Sequence, residues 1–145
     1  MRQVEAAIII HTTPVNVINA FTEQRHLAGW WGVHSSLVQT MPGGLYLLAW
    51  TGPGGSFDYV NTGIVKAYEA GLFLEIEKLS YLNLQRQPLG PMNLLIECSP
   101  HNTSTYVHIC QSGYQSGGDW DWFYDVVTEN WPKALQLLKA YLEKG

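Results

Sequence analysis

The stretch HLAGWWG, residues 26–32, places two tryptophans side by side with a glycine on either side of the pair. Successive side chains of a regular strand point to opposite faces of the sheet, and successive side chains of a helix diverge by roughly 100°. The two indoles therefore need apolar cover on different sides. We expect a corner here, where a short helical segment ends at Gly29 and the chain turns into the sheet.

The composition is typical of a globular protein that is rich in aromatic residues. A length of 145 residues predicts one domain, residues 1–145. The chain is 46% hydrophobic, but only 14% of its residues are charged, against the usual ~25%. Six tryptophans and eight tyrosines are present. Few charges and many aromatic rings indicate either a thick hydrophobic core or an internal surface that aromatic side chains line.

The distribution of charged residues and the short length of the apolar runs exclude several classes of partner. The formal net charge is −4, and the eight Lys and Arg residues are scattered singly. We therefore expect no nucleic-acid partner. The longest apolar runs fall far below the ~20 residues of a membrane helix, so no membrane span is predicted. The N-terminus lacks a signal-peptide pattern and the two cysteines form no disulfide framework, which predicts a cytoplasmic location with reduced thiols.

The first 32 residues predict a strand and two short helices. Val4–His11 is rich in β-branched residues and predicts the first strand. Thr12 or Thr13 can cap a helix that has Pro14 at its first position. A second helical segment covers Glu23–Ala28.

An antiparallel meander of six strands follows. Glycine- and proline-rich segments separate the strands, at residues 42–44, 52–55 and 85–91. The predicted strands are 33–41, 45–51, 57–69 (broken by Gly63), 72–79, 92–99 and 103–112. If Pro100 opposes Thr103 in the last hairpin, Cys98 faces Thr105, Ile96 faces Val107 and Leu94 faces Ile109. This register gives one apolar face and keeps Cys98 from opposing Cys110.

Residues 119–144 form the last predicted element, an amphipathic helix. Apolar residues from Trp120 to Tyr141 recur at three- and four-residue steps, and Pro132 should kink or break the helix. The complete order predicts an α+β architecture, in which a curved antiparallel sheet of about seven strands wraps around a long C-terminal helix. Such a sheet seldom fills the space beneath it, so we expect a cavity between sheet and helix.

Five segments resemble the domain related to the activator of the 90-kDa heat-shock protein ATPase, within the SRPBCC (START-like) superfamily. The first, IIIHTTPVNVINAFTEQRHLAGWWG, matches the family pattern at Pro14, Val17, Phe21, Trp30 and Trp31. The others are PGGLYLLAW, NTGIVKAYEAGLFLEIE, ICQSGY and NWPKALQLLKAYLEKG. The resemblance implies the helix-grip fold. Asn130 replaces a usual glycine, and Gln111 replaces a frequent histidine, which leaves the ligand of this member open.

The titratable residues do not form a recognisable catalytic or metal-binding motif. The five histidines are dispersed without metal-ligand spacing, so no metal and no cofactor is expected. No nucleophile motif occurs and neither cysteine has an obvious base. Glu75 and Glu77 alternate with apolar residues as on a solvated sheet face. Asp119, Asp121 and Asp125 suit the N-terminal end of a helix, where acids are favoured electrostatically. We therefore assign no catalytic residue.

The aromatic set is the strongest functional signal. One alternate face of the strand at 45–51 presents Tyr46, Leu48 and Trp50. By analogy with the family this face points inward, and we expect Trp31 rather than Trp30 to face the cavity. The predicted ligand-binding residues are Trp31, Tyr46, Leu48, Trp50, Leu94, Ile96, Val107, Ile109, Gln111, Trp120, Phe123 and Val127.

These residues predict binding of a small hydrophobic or amphipathic molecule such as a lipid, without catalysis. One alternative is an enzyme of the cyclase or hydratase kind, which would use a buried Tyr or Asp with a shifted pKa. The other, implied by the family, is a co-chaperone-like interaction module with a protein partner or a homodimer. That module would need an exposed apolar patch on the outer sheet face or the helices.

Overall fold

A seven-stranded antiparallel sheet, in the order β1-β7-β6-β5-β4-β3-β2, forms the frame of the molecule in the computed structural model, which describes residues 2–52, 55 and 57–144. The strands are β1 (Arg2–Ile10), β2 (Ser35–Val38), β3 (Leu45–Thr51), β4 (Phe57–Glu69), β5 (Phe73–Leu82), β6 (Leu89–His101) and β7 (Ser104–Tyr114). The helices are α1 (Pro14–Ala20), α2 (Gln24–Trp31) and α3 (Asp119–Glu143). The α+β helix-grip prediction is confirmed, with two short helices after the first strand.

The start of α1 follows the capping chemistry in the sequence. The Thr13 side chain accepts a hydrogen bond from the Asn16 backbone N–H, and Pro14 occupies the first turn, where a missing donor costs nothing. Val17, Ile18 and Ala20 are buried. The helix therefore presents one apolar face to the core.

The tryptophan pair belongs to a helix rather than to a corner, so the prediction that helix two ends before Gly29 is wrong. Helix α2 continues to Trp31, and Gly32 ends it in the left-handed conformation, with φ at 70°. The Gly32 N–H donates to the Leu27 carbonyl oxygen and closes the last turn. Glycine adopts this backbone angle without steric cost, so the turn comes after the pair.

The β6–β7 hairpin is two residues out of the predicted register. Cys98 pairs with Val107, Ile96 with Ile109, and Leu94 with Gln111. The tight turn lies at Asn102 and Thr103, where Asn102 takes a φ of 55° that asparagine tolerates. Because side chains alternate with a period of two, this shift leaves the same residues facing inward.

The two cysteines are free, as the sequence predicts, and Cys110 pairs with Leu95 rather than with Cys98.

Some boundaries of the strands differ from the predicted ones. Strand β2 covers only 35–38, and β6 begins at Leu89, which shortens the predicted 85–91 loop. Strand β4 runs through Gly63, where the pairing with β5 shifts in register. The predicted turn at 52–55 falls partly on Pro53 and Gly54, which lie outside the described residues.

Helix α3 lies across the concave face and runs without interruption through Pro132, so the predicted break is absent. Pro132 and Thr128, whose carbonyl loses its helical partner, are both exposed, and water can replace the missing bond. On the opposite side of the helix, Trp131, Leu135 and Leu138 are buried against the sheet. In the described residues, no helix combines the length and apolar character needed to cross a membrane.

Candidate ligand-binding cavity

A cavity of about 280 Å³ lies between the concave face of the sheet and α3. Its wall is mainly apolar and aromatic, formed by Trp31, Tyr46, Leu48, Trp50, Tyr59, Leu79, Tyr81, Met92, Leu94, Trp122, Phe123, Val126, Val127, Trp131 and Ala134. The polar side chains in the lining are Asp58, Asn61, Asn83, Gln111 and Asn130. Such a wall, apolar with a few polar groups, is typical of small-molecule sites.

Strand β3 supplies one wall by simple alternation. Tyr46, Leu48 and Trp50 point inward and are all buried. The Tyr46 hydroxyl donates to the Phe21 carbonyl oxygen at 3.0 Å, so the phenol links the sheet to the end of α1. Both ends of this wall are therefore fixed by hydrogen bonds to helices, because Trp50 is held in the same way by α2.

The two tryptophans of α2 have different environments. Their rings stack with centroids 4.7 Å apart and planes only 10° from parallel. Trp30 is 5% exposed, and its Nε1 donates to the Ala20 carbonyl oxygen at 2.8 Å, which joins α2 to α1. Trp31 lies on the cavity side and contacts Trp131 of α3, with centroids 5.5 Å apart. Trp30 is thus a core residue that supports the ring lining the cavity.

Gln111 and Trp131 form a buried polar pair in the wall. The Trp131 Nε1 donates to Gln111 Oε1 at 2.9 Å, and Gln111 Nε2 approaches the Met92 sulfur at 3.6 Å. Gln111 is 5% exposed and Trp131 is 6% exposed. The pair joins β7 to α3 across the cavity wall.

A second group of rings continues the wall along β4, β5 and α3. Tyr59 stacks on Trp50 with centroids 4.6 Å apart, and Tyr81 packs on Phe123 at 4.5 Å. Outside this group, the Arg86 guanidinium lies 3.6 Å from the Trp122 ring centroid. Arg86 also pairs with Asp119 at 2.9 Å, which fixes the 83–88 loop to the start of α3.

The phenols of Tyr46 and Tyr59 stay protonated at neutral pH. Burial, reinforced by the nearby Tyr81 and Asp58, raises the pKa of Tyr59 to about 12. Burial alone raises the pKa of Tyr46 above its ordinary value of 10.0. Both groups therefore act as neutral hydrogen-bonding groups rather than as bases.

Eight of the twelve predicted ligand-binding residues line the cavity: Trp31, Tyr46, Leu48, Trp50, Leu94, Gln111, Phe123 and Val127. Ile96, Val107 and Ile109 point inward but are fully buried in the core, where β6 packs against α1 instead of facing open space. Trp120 packs edge-on against Tyr114 at 6.2 Å, at the first turn of α3. These four residues therefore do not form part of the wall.

Sequence reasoning overlooked several wall residues that periodicity could have found. Tyr59 and Asn61 share one face of β4 by the period of two. Along α3, the overlooked Asn130, Trp131 and Ala134 continue the helical spacing of the predicted Phe123 and Val127, and all five line the cavity. Asn130 and Gln111, the two departures from the family pattern, both lie in this wall.

Two titratable groups outside the cavity, Asp121 and His108, make structural contacts. Asp121 accepts a hydrogen bond from the Gly117 N–H at 3.1 Å and pairs with Arg2, and these contacts hold its pKa below the ordinary value. His108 lies between Glu5 and Glu97 on the outer sheet face, 3.4 Å from each. In the described part of the chain, no three His, Cys, Asp or Glu side chains converge as metal ligands.

The family model described as "Activator of Hsp90 ATPase homolog 1-like protein" matches residues 11–143. The chain belongs to this family. The match covers α1, α2, the tryptophan pair and all of α3, so the resemblance drawn from the sequence is confirmed. No curated protein sequence matches the chain.

Solved structures share the fold along the full length of the chain. The Aha1 dimer from Colwellia psychrerythraea is 17% identical, with a TM-score of 0.73 over 99% of this chain and 97% of that one. Protein MLL2253 from Mesorhizobium loti is 20% identical, with a TM-score of 0.75 over 99% and 98%. DynU16, a protein in the dynemicin biosynthetic locus, is 17% identical, with a TM-score of 0.77 over 97% of this chain and 47% of that one. At these identities the likeness shows the fold alone.

Proposed function

We propose that this member of the family binds a small hydrophobic or amphipathic molecule in the cavity between the sheet and α3. The observation that carries the proposal is the wall itself, in which Trp31, Trp50, Tyr59 and Trp131 surround a space of about 280 Å³. That volume lies at the low end of the roughly 300–1,000 Å³ of small-molecule sites, so the ligand is small, with two or three rings.

The nature of the wall also favours an amphipathic ligand. Aromatic rings provide apolar contact area, and the amides of Asn61, Asn83, Gln111 and Asn130 provide hydrogen-bonding groups around it. A ligand with an apolar body and one or two polar atoms matches this distribution. We also propose that the protein is cytoplasmic, which the two free cysteines support.

Titration with a panel of small aromatic and lipid-like compounds tests the proposal, read out by tryptophan fluorescence and by the melting temperature. A ligand that binds the folded state should quench the cavity tryptophans and raise the melting temperature through linkage. If no compound in a broad panel does either, the proposal is wrong.

A matched pair of variants locates the site. Ala134 lines the cavity and is 8% exposed, whereas Ala140 lies on the exposed side of the same helix. Ala134→Leu fills part of the cavity and should weaken binding at least about tenfold, by steric exclusion. Ala140→Leu adds the same atoms facing solvent and should leave the affinity unchanged. Equal affinities for the two variants would place the ligand elsewhere.

A cyclase or hydratase, the first alternative, would need a group in the cavity poised to exchange protons near neutral pH. The pKa values of Tyr46 and Tyr59 are moved away from neutrality, and the Tyr46 hydroxyl is engaged with the Phe21 carbonyl oxygen. These observations favour binding over acid–base catalysis by the phenols.

Self-association is a second candidate, favoured by an apolar strip on the outer face of β2 and β3. Strand β2 is an edge of the sheet, and Leu37 on it pairs with Leu47. Leu37 is 50% exposed and Leu45 is 42% exposed. A second copy of this chain is the occupant we propose, because a structural relative, the Colwellia Aha1, is described as a dimer.

Sedimentation analysis over a range of concentrations tests this second candidate. Leu37→Lys should shift a dimer toward monomer, whereas Leu84→Lys changes a 98% exposed side chain outside the strip and should not. A wild-type protein that stays monomeric at every concentration would contradict it.

A further inference from the structure

The geometry points to a ligand that carries a neutral hydrogen-bond acceptor, a carbonyl oxygen, held by the Gln111 side-chain N–H inside the cavity. The inference rests on the proposed binding function and specifies the ligand class for that site. It makes Gln111 a specificity-determining residue. The argument depends on the orientation of one buried amide.

The partner of the Gln111 oxygen determines that orientation. An indole Nε1 can only donate a hydrogen bond, so the atom 2.9 Å from it must be an acceptor. The oxygen and nitrogen of an amide are otherwise hard to distinguish, but a flipped amide would set two donors against each other. Gln111 Oε1 therefore faces Trp131, and Nε2 is directed away from it.

The Gln111 nitrogen is left with a poor partner. Its contact in the protein is the thioether sulfur of Met92 at 3.6 Å, and thioethers are weak acceptors. A primary amide has two N–H donors, and Gln111 is 95% buried, since only 5% of its surface is exposed. Burying a donor without a good acceptor is unfavourable, so an incoming acceptor would relieve that cost.

Three other buried donors of the wall are already engaged within the protein. The Tyr46 hydroxyl donates to the Phe21 carbonyl oxygen, and the Trp50 Nε1 donates to the Trp31 carbonyl oxygen. The Trp131 Nε1 is used to orient Gln111 itself. The Gln111 amide, by contrast, is a buried donor that a ligand can use without breaking one of these hydrogen bonds.

The charge of the wall selects a neutral acceptor. Among the described lining residues, Asp58 is the only charged side chain, and it is negative. A carboxylate or phosphate in this space would lose its hydration without gaining a cation. A ketone, ester or lactone carbonyl loses far less on burial and still accepts the Gln111 N–H. We therefore expect neutral carbonyl compounds of two or three rings to be preferred.

A pair of shape-matched probes tests the inference: 1-tetralone, which carries a carbonyl, and tetralin, which lacks it. Calorimetric titration of the wild-type protein should give an affinity for 1-tetralone about tenfold above that for tetralin, the scale expected for one well-placed buried hydrogen bond. Equal affinities would overturn the inference while leaving the proposed function intact. Binding of neither probe, together with a silent compound panel, would overturn both.

Two variants assign the preference to Gln111. Gln111→Met keeps the length of the side chain but has no amide, so the ratio of the affinities for 1-tetralone and tetralin should fall from about ten to about one. Met92→Leu removes the competing sulfur and retains the amide, so the preference should persist or increase. An unchanged preference in Gln111→Met would overturn the inference.

A measurement on the wild-type protein removes the dependence on a folded Gln111 variant. The side-chain NH₂ resonances of Gln111 report directly on its hydrogen bonds. They should move when 1-tetralone is added and stay nearly still when tetralin is added at equal occupancy. Resonances that respond equally to both probes would contradict a hydrogen bond to the carbonyl.

Discussion

The indole Nε1 of Trp50 donates a hydrogen bond of 2.9 Å to the backbone carbonyl oxygen of Trp31. The two rings also meet edge to face, with centroids 5.3 Å apart. A side chain of β3 thereby satisfies one of the carbonyl groups that every helix leaves open at its C-terminal end. The same contact joins two walls of the cavity. The stability of the protein and the shape of the cavity therefore both depend on this pair of residues.

Trp50→Phe should destabilise the protein by about 1–2 kcal/mol, because the Trp31 carbonyl oxygen loses a buried donor. Phenylalanine retains an aromatic ring beside Tyr59, so the fold should survive. Chemical denaturation measures the change in the free energy of unfolding.

Trp122→Phe is the control for Trp50→Phe. It also removes one indole from the lining, but Trp122 is partly exposed and stacks with Arg86. Its effect on the free energy of unfolding should be smaller than that of Trp50→Phe. The reverse order would contradict a structural role for the Trp50–Trp31 bond.

Gly63→Ala should cost about 1–3 kcal/mol of stability, the usual scale for overpacking a core. A Cβ at residue 63 would lie 2.6 Å from Ile76 Cγ2 and 3.3 Å from the Glu77 carbonyl oxygen. Ile76 is fully buried and has no room to move away.

The adjacent substitution Thr62→Ala is the control, because Thr62 lies on the outer face of the same strand. It should change the stability by only a few tenths of a kcal/mol, about the usual surface effect. Thermal or chemical denaturation of both variants measures the difference, and equal stabilities would refute the close packing at Gly63.

The two cysteines should differ in reactivity. Burial raises the pKa of the Cys98 thiol to about 12, and burial together with Glu5 and Glu97 raises the pKa of Cys110. Since the thiolate is the reactive form, both should react slowly with an aromatic disulfide reagent in the native protein. Cys98 is 6% exposed and should react only after unfolding, whereas Cys110 is more accessible.

Single substitutions separate the two thiols. Cys110→Ser should abolish the slow native reaction, and Cys98→Ser should leave it unchanged. Absorbance of the released thiolate follows both rates. Fast labelling of Cys98 under native conditions would show that the β6–β7 hairpin opens readily.

Stability should fall in strongly alkaline solution. The folded protein holds the Tyr59 proton up to about pH 12, whereas an exposed tyrosine loses it near 10.0. As the pH rises through this window, the unfolded chain binds fewer protons than the folded chain, so the free energy of unfolding decreases. Below the window both states are protonated and the contribution is constant.

Tyr59→Phe cannot ionise and should show a shallower alkaline loss of stability than the wild type. Tyr106→Phe, at a 40% exposed position, serves as the control and should follow the wild-type curve. Denaturation midpoints measured across the alkaline range give the slopes. Identical slopes for Tyr59→Phe and the wild type would mean that Tyr59 ionises freely in the folded state.

Local chemistry explains which parts of the fold were predictable. Thr13 and Pro14 predicted the start of α1, because capping involves only neighbouring residues. The bounds of β3 and β4 agree with the predicted ones, since glycine-rich turns separate the strands on either side. The inward face of the last hairpin was also correct, because alternation survives a shift of two residues.

Features set by distant contacts were not predictable. The predicted register of the β6–β7 hairpin was wrong because Asn102 and Thr103 form its turn, whereas the prediction placed the turn at His101 and Asn102. Helix α2 extends through Gly29 because Trp30 and Trp31 gain contacts with Ala20, Phe21 and Trp50 that a local pattern does not contain.

The order of elements, the family and the aromatic character of an internal surface follow from the amino-acid sequence alone, because these depend on local propensity and on alternation along each element. Which residues surround the cavity depends instead on how the helices pack on the sheet. Ile96, Val107 and Ile109 share the inward face of the hairpin with Leu94 and Gln111, but only the latter two reach the open space. The positions of α1 and α3 on the sheet separate the core residues from the cavity residues. The alternation of side chains along a strand shows which residues face inward, but it does not show where a helix covers that face.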